Sequence, residues 1–167
     1  PRLRKSGLNW VLLGVENSEP STLDTFKKNI TPSDAQGAVK LLKKNDIFAH
    51  VMLIIGQRKD TVQSIQKQRE FAIGLKPDFA FFSALTPFPG TEVYEEAKKN
   101  GWIEDLNWSH YDMVHAIMPT EHLSRLQVQE ELYMCYRSFY GSFSRRFKGM
   151  FSTNALKRQT YRYLAGQ

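Results

Sequence analysis

The chain has 167 residues, of which 41% are hydrophobic, 13% aromatic and 24% charged, a composition that suits a globular domain and excludes collagen-like, low-complexity and knottin-like classes. Its longest apolar run, residues 51–56, is far below the roughly 20 residues of a membrane helix, and the opening Pro-Arg-Leu-Arg-Lys has no signal-peptide core, so no membrane span and a cytoplasmic location are expected. The net charge is +6, with seven basic residues (Arg137, Arg145, Arg146, Lys148, Lys157, Arg158, Arg162) and no acidic one from residue 132 onward, and the lone Cys135 excludes a disulfide, a thiolate zinc site or a cysteine-held iron–sulfur cluster within this chain.

Residues 9–15, Asn-Trp-Val-Leu-Leu-Gly-Val, form an apolar run too short for a helix and rich enough in branched residues for a strand buried on both faces. The next helix is expected to start at Thr31, whose hydroxyl can accept from the N3 amide, followed by Pro32 at the first helical position and Asp34 in the positive first turn. Ala35, Ala38, Val39 and Leu42 recur at helical spacing, and Asn45 can close the end. Residues 48–55 predict a second buried strand, stopped by Gly56. Asp60 or Thr61 can cap a helix with apolar positions Val62, Ile65, Ala72 and Leu75, ended by Pro77, which lacks an amide hydrogen. A third strand is expected over residues 79–85. The rigid Thr86-Pro87-Phe88-Pro89-Gly90 loop leads to a Thr91-capped helix through Lys99, with Gly101 as its stop signal.

This β-α-β-α-β-α order predicts adjacent parallel strands with helical crossovers, as in half an α/β barrel or a piece of a doubly wound sheet. Residues 101–119 read as a long loop or irregular strand. Residues 124–140 predict a helix capped by Ser124, and a last short helix is expected around residues 153–164.

In parallel sheets ligands bind beyond the carboxyl ends of the strands. That rule selects Gly14, Glu16 and Asn17, then Gly56, Gln57 and Arg58, then residues 86–90. Glu16 could accept hydrogen bonds from an amine or a ribose hydroxyl, or simply cap the following turn. Gly56 either needs a positive φ or merely ends its strand, the commoner case. His50 reads as a strand or barrel-interior residue rather than a metal ligand, and His110 and His115 as loop histidines. No G-x-S-x-G, P-loop or G-x-G-x-x-G pattern occurs, so the acyl-transfer and nucleotide-binding classes that carry them lack support. Alternating aromatic and basic residues over 133–147 could bind nucleic acid, but most share one helical face, which favours a packed terminal helix with exposed arginines.

Read together, Leu12-Leu13-Gly14-Val15-Glu16-Asn17, Lys27-Lys28-Asn29-Ile30-Thr31-Pro32, Leu53-Ile54-Ile55-Gly56 and the Leu-Thr-Pro-Phe-Pro-Gly-Thr run ending at Thr91 resemble the second half of a radical S-adenosylmethionine enzyme of the cobalamin-binding type. The stretches 108–112, 115–120 and 135–142 are most similar to the anaerobic magnesium-protoporphyrin IX monomethyl ester oxidative cyclases. The resemblance implies a partial (β/α) barrel over residues 1–106, supplying its fourth to sixth strands, and an irregular and helical extension over residues 107–167. It further implies that Glu16 and Lys28 hold the amino-acid part of S-adenosylmethionine and that backbone near Gly56, Leu85 and Thr86 lines the adenosine. After Gly56 the family has Leu-Pro-Gly-Glu-Thr where this chain has Gln57-Arg58-Lys59-Asp60-Thr61, keeping an acid at Asp60. The cluster-binding C-x-x-x-C-x-x-C is absent, which fits a carboxyl-terminal fragment, inactive alone, of an oxidoreductase whose cluster and cobalamin sit on other segments. In the parent, cleavage of S-adenosylmethionine would give a radical that abstracts hydrogen from a tetrapyrrole side chain. Cobalamin-dependent methyl transfer or methylthio transfer is the alternative within the superfamily, and a non-catalytic basic RNA- or anion-binding module the alternative outside it. Exposed strand edges of a half barrel would favour self-association.

Overall fold

The computed structural model describes residues 2–142, 145 and 147–166. Phe143 and Arg146 of the aromatic and basic stretch lie outside the described residues. The order is α1 (Arg2–Lys5), β1 (Trp10–Glu16), α2 (Pro20–Thr25), α3 (Pro32–Lys44), β2 (Phe48–Ile55), α4 (Val62–Leu75), β3 (Phe79–Ala84), α5 (Glu92–Lys99), a 3₁₀ turn (Trp108–His110), α6 (Arg125–Tyr140) and α7 (Ala155–Ala165). The expected α/β architecture holds: β1, β2 and β3 form one parallel sheet in that order.

Local chemistry accounts for the helix starts. Thr31, Thr61 and Ser124 each accept from the amide three residues on while that residue's side chain returns to the cap amide, giving three capping boxes. Thr91 caps α5 in the simpler manner. The α2 helix lies between Glu16 and Thr31-Pro32, where the family resemblance implies a helix. It starts with Pro20 in its first turn but buries only Leu23, so no apolar repeat announces it.

One face of the sheet carries the core. Ala49, Val51, Leu53 and Ile55 of β2 pack with Ala80, Phe82 and Ala84 of β3 against α3, α4 and α6 through Val39, Ile65, Ala72, Val128, Leu132 and Phe139. The opposite face, Trp10 and Leu12, His50 and Met52, Phe79 and Phe81 by register, is only half covered. Trp10 and Leu12 are 49% and 53% exposed, so β1 is not the doubly buried strand that its apolar run suggested. It is an edge strand paired on one side only, and an apolar run reads alike in both settings.

The outer edge of β3 is closed from α6. The Ala80 amide donates to the Tyr140 hydroxyl (3.1 Å), which donates to the Ala80 carbonyl (2.8 Å), and Tyr136 repeats this with Phe82 (3.2 and 2.7 Å). The Ala84 amide donates to the Met113 carbonyl. Four residues of helix rise about 6 Å and two residues of strand about 6.6 Å, so tyrosines four apart match successive outward-facing strand residues.

At the amino-terminal end of the sheet, Asp78 accepts from the Ala49 amide, Lys157 and Tyr161. Asp46 accepts from Ser152, Thr153 and the Asn154 amide, while the Asn154 side chain donates to the carbonyls of Asn9 and Asp46. Part of the basic tail is thus spent internally: Lys157 is buried in this clasp, Arg145 lies 3.9 Å over the Phe139 ring and donates to the Pro77 carbonyl, and Arg158 donates to the Ser152 carbonyl. Among the described residues no helix is long and apolar enough to cross a membrane.

Candidate ligand site at the strand ends

The residues singled out from sequence fall into two neighbouring groups at the carboxyl ends of the strands. In the first, Glu16 is the last residue of β1, beyond a register shift that opens between Gly14 and Glu16. Its φ is +61°, a left-handed conformation that a non-glycine residue adopts at a cost of about 1–3 kcal/mol and that concentrates at functional sites. Its carboxylate, 15% exposed, lies 3.0 Å from the Lys28 ammonium, which is 42% exposed. Gly14 makes room: a Cβ there would fall 2.6 Å from Glu16 Oε1. Glu16 does not cap the following turn. Asn17 does, accepting from the Glu19 amide.

In the second group, Gly56 has φ +79°, so it is needed for conformation and does more than end the strand. A Cβ would also strike Val128 Cγ1 at 2.9 Å. The Leu85 amide donates to the Ile55 carbonyl, and buried Thr86 donates to the Ala84 carbonyl. The loop after Gly56 is pinned by Asp60, whose carboxylate accepts from the Gln57 amide and Ser64. Burial raises the Asp60 pKa, opposed by hydrogen bonds from Ser64, Gln57 and Gly56. Arg58 stacks 4.0 Å over Trp102 and donates to the Pro119 carbonyl. Buried atoms without a hydrogen-bond partner include Ser18 Oγ and Gln57 Nε2, both just beyond these strand ends.

Sequence reasoning missed Gln68. This α4 residue is 2% exposed, and its side-chain amide donates to the Glu16 carbonyl (3.1 Å) and the Ile54 carbonyl (2.7 Å), linking the two groups. A polar residue in phase with Ile65, Ala72 and Leu75 was the available signal.

The histidines lie apart from this site. His50 stacks on Trp10 on the half-covered sheet face, and burial lowers its pKa. His110 and His115 stack on each other, with Nδ1 atoms 2.8 and 2.7 Å from Asp105 and Asp112. Among the described residues no three His, Cys, Asp or Glu side chains converge on a metal position. Cys135 is fully buried on α6, with its thiol pushed up to about 12 by burial. A cavity of about 410 Å³ lies elsewhere, between α5 and residues 103–111, lined by Tyr94, Lys98, Trp108 and Tyr111.

The site is therefore an acid and a base held as a contact ion pair beside a glycine turn, a donor set complementary to a zwitterion. No protein-family model matches the chain. It is 33% identical over 83% of its length to an uncharacterized methyltransferase of Pyrococcus horikoshii, 31% identical over 82% to the anaerobic magnesium-protoporphyrin IX monomethyl ester cyclase of Cereibacter sphaeroides, and 28% identical over 81% to the bacteriochlorophyllide d C-12(1)-methyltransferase of Chlorobaculum tepidum. These matches cover 30%, 22% and 30% of the three relatives, so the chain spans less than a third of their length. The resemblance read from the sequence is borne out: about four fifths of the chain is homologous to one stretch of cyclases and methyltransferases.

Proposed function

We propose that the chain carries part of the S-adenosylmethionine site of a radical enzyme that acts on a tetrapyrrole, in the manner of the cyclases it resembles. The Glu16–Lys28 pair carries this reading. In a bound α-amino acid the carboxylate would face Lys28 and the ammonium Glu16, replacing one contact ion pair by a four-charge ring in a partly sheltered site. Backbone around Gly56, Leu85 and Thr86 would line the adenosine, with residues 1–106 as the barrel half and residues 107–167 as its extension. The residues present fit the amino-acid end of S-adenosylmethionine. They do not fit an iron–sulfur cluster, since the one thiol, Cys135, is buried. S-Adenosylmethionine, when bound beside a cluster on another segment, supplies a carbon radical for hydrogen abstraction. This chain's share is to orient the amino-acid end and shield it from water.

Methyl transfer to a tetrapyrrole is the second reading, favoured by the methyltransferases among the relatives. Titration calorimetry with S-adenosylmethionine tests what the two share. Binding is expected in the unmodified chain and is lost in both Glu16→Gln and Lys28→Ala. Binding that survives both substitutions, or is absent from the unmodified chain, overturns the assignment of this pair as a sufficient anchor.

A further inference from the structure

Gln68 occupies a position that the spacing of its helix gives to the core. The buried residues of α4 are Ile65, Gln68, Ala72 and Leu75, a 3-4-3 rhythm in which an apolar side chain would serve packing better than an amide that must be desolvated. Burial is tolerated because both amide hydrogens are used, on the carbonyls of Glu16 and Ile54. Those carbonyls belong to the last residue of β1 and the last but one of β2, where the regular ladder is interrupted: the register steps from Gly14 opposite Met52 to Glu16 opposite Leu53, leaving Val15 as the extra residue of a bulge. An extended residue would continue the strand, whereas Glu16 turns left-handed at φ +61°, and a conformation of that kind persists only where its surroundings over-determine it. A local bond, from the Asn17 amide to the Val15 carbonyl (2.7 Å), closes the turn, and two contacts and one space act on it from outside. Lys28 holds the carboxylate, Gly14 leaves it room, and Gln68 fixes the carbonyl.

We propose that Gln68 is a positioning residue, whose buried side-chain amide replaces the ladder partner lost at the bulge and holds Glu16 in the pose that pairs with Lys28. This rests on Glu16 being a ligand group, and it adds to that assignment the element that sets its geometry from the far side of the sheet. Gln68 touches no ligand itself. It acts through the Glu16 backbone, and through Ile54 it couples the Glu16 group to the Gly56 turn two residues further on.

The experiment needs no ligand. In the isotope-labelled full chain, Gln68→Met fills the same space without donors. The Glu16 Cα shift is expected to move toward extended values, and trace acetylation of Lys28, read by mass spectrometry, to rise at least two-fold, while core resonances of Val51 and Leu132 stay in place. A purely structural role would lower the melting temperature and leave both local signals at their original values, which would overturn the proposal. Should Gln68→Met not fold, the unmodified chain decides: the Gln68 side-chain amide protons are expected to exchange at least ten-fold more slowly than those of exposed Gln63, and equal rates would overturn the proposal. Calorimetry with S-adenosylmethionine on the same samples separates the two assignments. If Gln68→Met moves Glu16 but the unmodified chain binds no S-adenosylmethionine, the ligand assignment falls and the positioning stands. If S-adenosylmethionine binds equally in both and Glu16 does not move, the positioning falls alone.

Discussion

The two edges of the sheet are finished differently. On β3 the outward-facing backbone of Ala80, Phe82 and Ala84 is taken up by Tyr140, Tyr136 and the Met113 carbonyl. On β1 the edge is flanked by Trp10 and Leu12, each about half exposed, and among the described residues no strand pairs beyond it. Open edges with apolar flanks invite pairing, which is why folded proteins cover, charge or shorten them. The covered edge leaves little unpaired backbone for a further strand, whereas the open edge keeps its backbone groups available for pairing.

The largest effect should come from stripping the cover. Tyr136→Phe combined with Tyr140→Phe keeps both rings and removes two hydroxyls that each serve a backbone donor and acceptor. The loss should be about 2–5 kcal/mol, measured by urea unfolding, with new aggregation through β3. A loss below about 0.5 kcal/mol would mean that packing of α6 alone closes this edge.

Alkali should loosen the same edge reversibly. Burial raises the Tyr140 pKa from 10.0 to about 12, so the neutral hydroxyl is favoured in the folded state. Its contribution is fully present below pH 10 and is lost as pH rises toward 12. Unfolding midpoints of the unmodified chain and Tyr140→Phe should therefore converge over that window, and parallel curves would break the comparison.

Cys135 offers a smaller, kinetic readout. It lies on α6 beneath the cover, and its thiol is pushed up to about 12, so a thiol reagent at pH 8 should react at least a hundred-fold more slowly than with the unfolded chain. The double tyrosine variant should shorten that protection, whereas substitutions on β1 should not.

The smallest effect on stability belongs to the open edge. Leu12→Lys should change stability by no more than about 0.5 kcal/mol, because the side chain is half exposed already, and by charging the open edge it should make the chain sediment no larger, at any concentration, than the unmodified chain. A stability loss like that of the covered edge would show that the two edges are not different in kind.

What could be read from the sequence was local. Thr31, Thr61, Thr91 and Ser124 declare their helices within four residues, and the order of apolar runs is enough for a parallel sheet. What could not be read depends on partners distant in sequence. No pattern near residue 12 tells an edge strand from a buried one, and Tyr136 and Tyr140 look like ordinary members of an apolar stripe until β3 lies beside them. At the candidate site, Glu16, Gly56 and Thr86 can be read as residues beyond strand ends, whereas Lys28 and Leu85 enter only through the family resemblance. The left-handed turn at Glu16 was not, because its carbonyl is bound by Gln68, 52 residues away, and its carboxylate by Lys28, in space left by Gly14.

The clasp at the amino-terminal end of the sheet bears on the order of assembly during synthesis. Asn154 reaches back across 145 residues to the Asn9 carbonyl, and Lys157 and Tyr161 reach across 79 and 83 residues to Asp78. Contacts of such separation form late because the intervening chain must first be ordered. On the ribosome all three strands can emerge and pair while Asp78 still lacks its lysine and tyrosine, so the nascent sheet passes through an interval with an acidic, unfastened base. Translation speed between residues 85 and 161 would then set how long that intermediate is exposed.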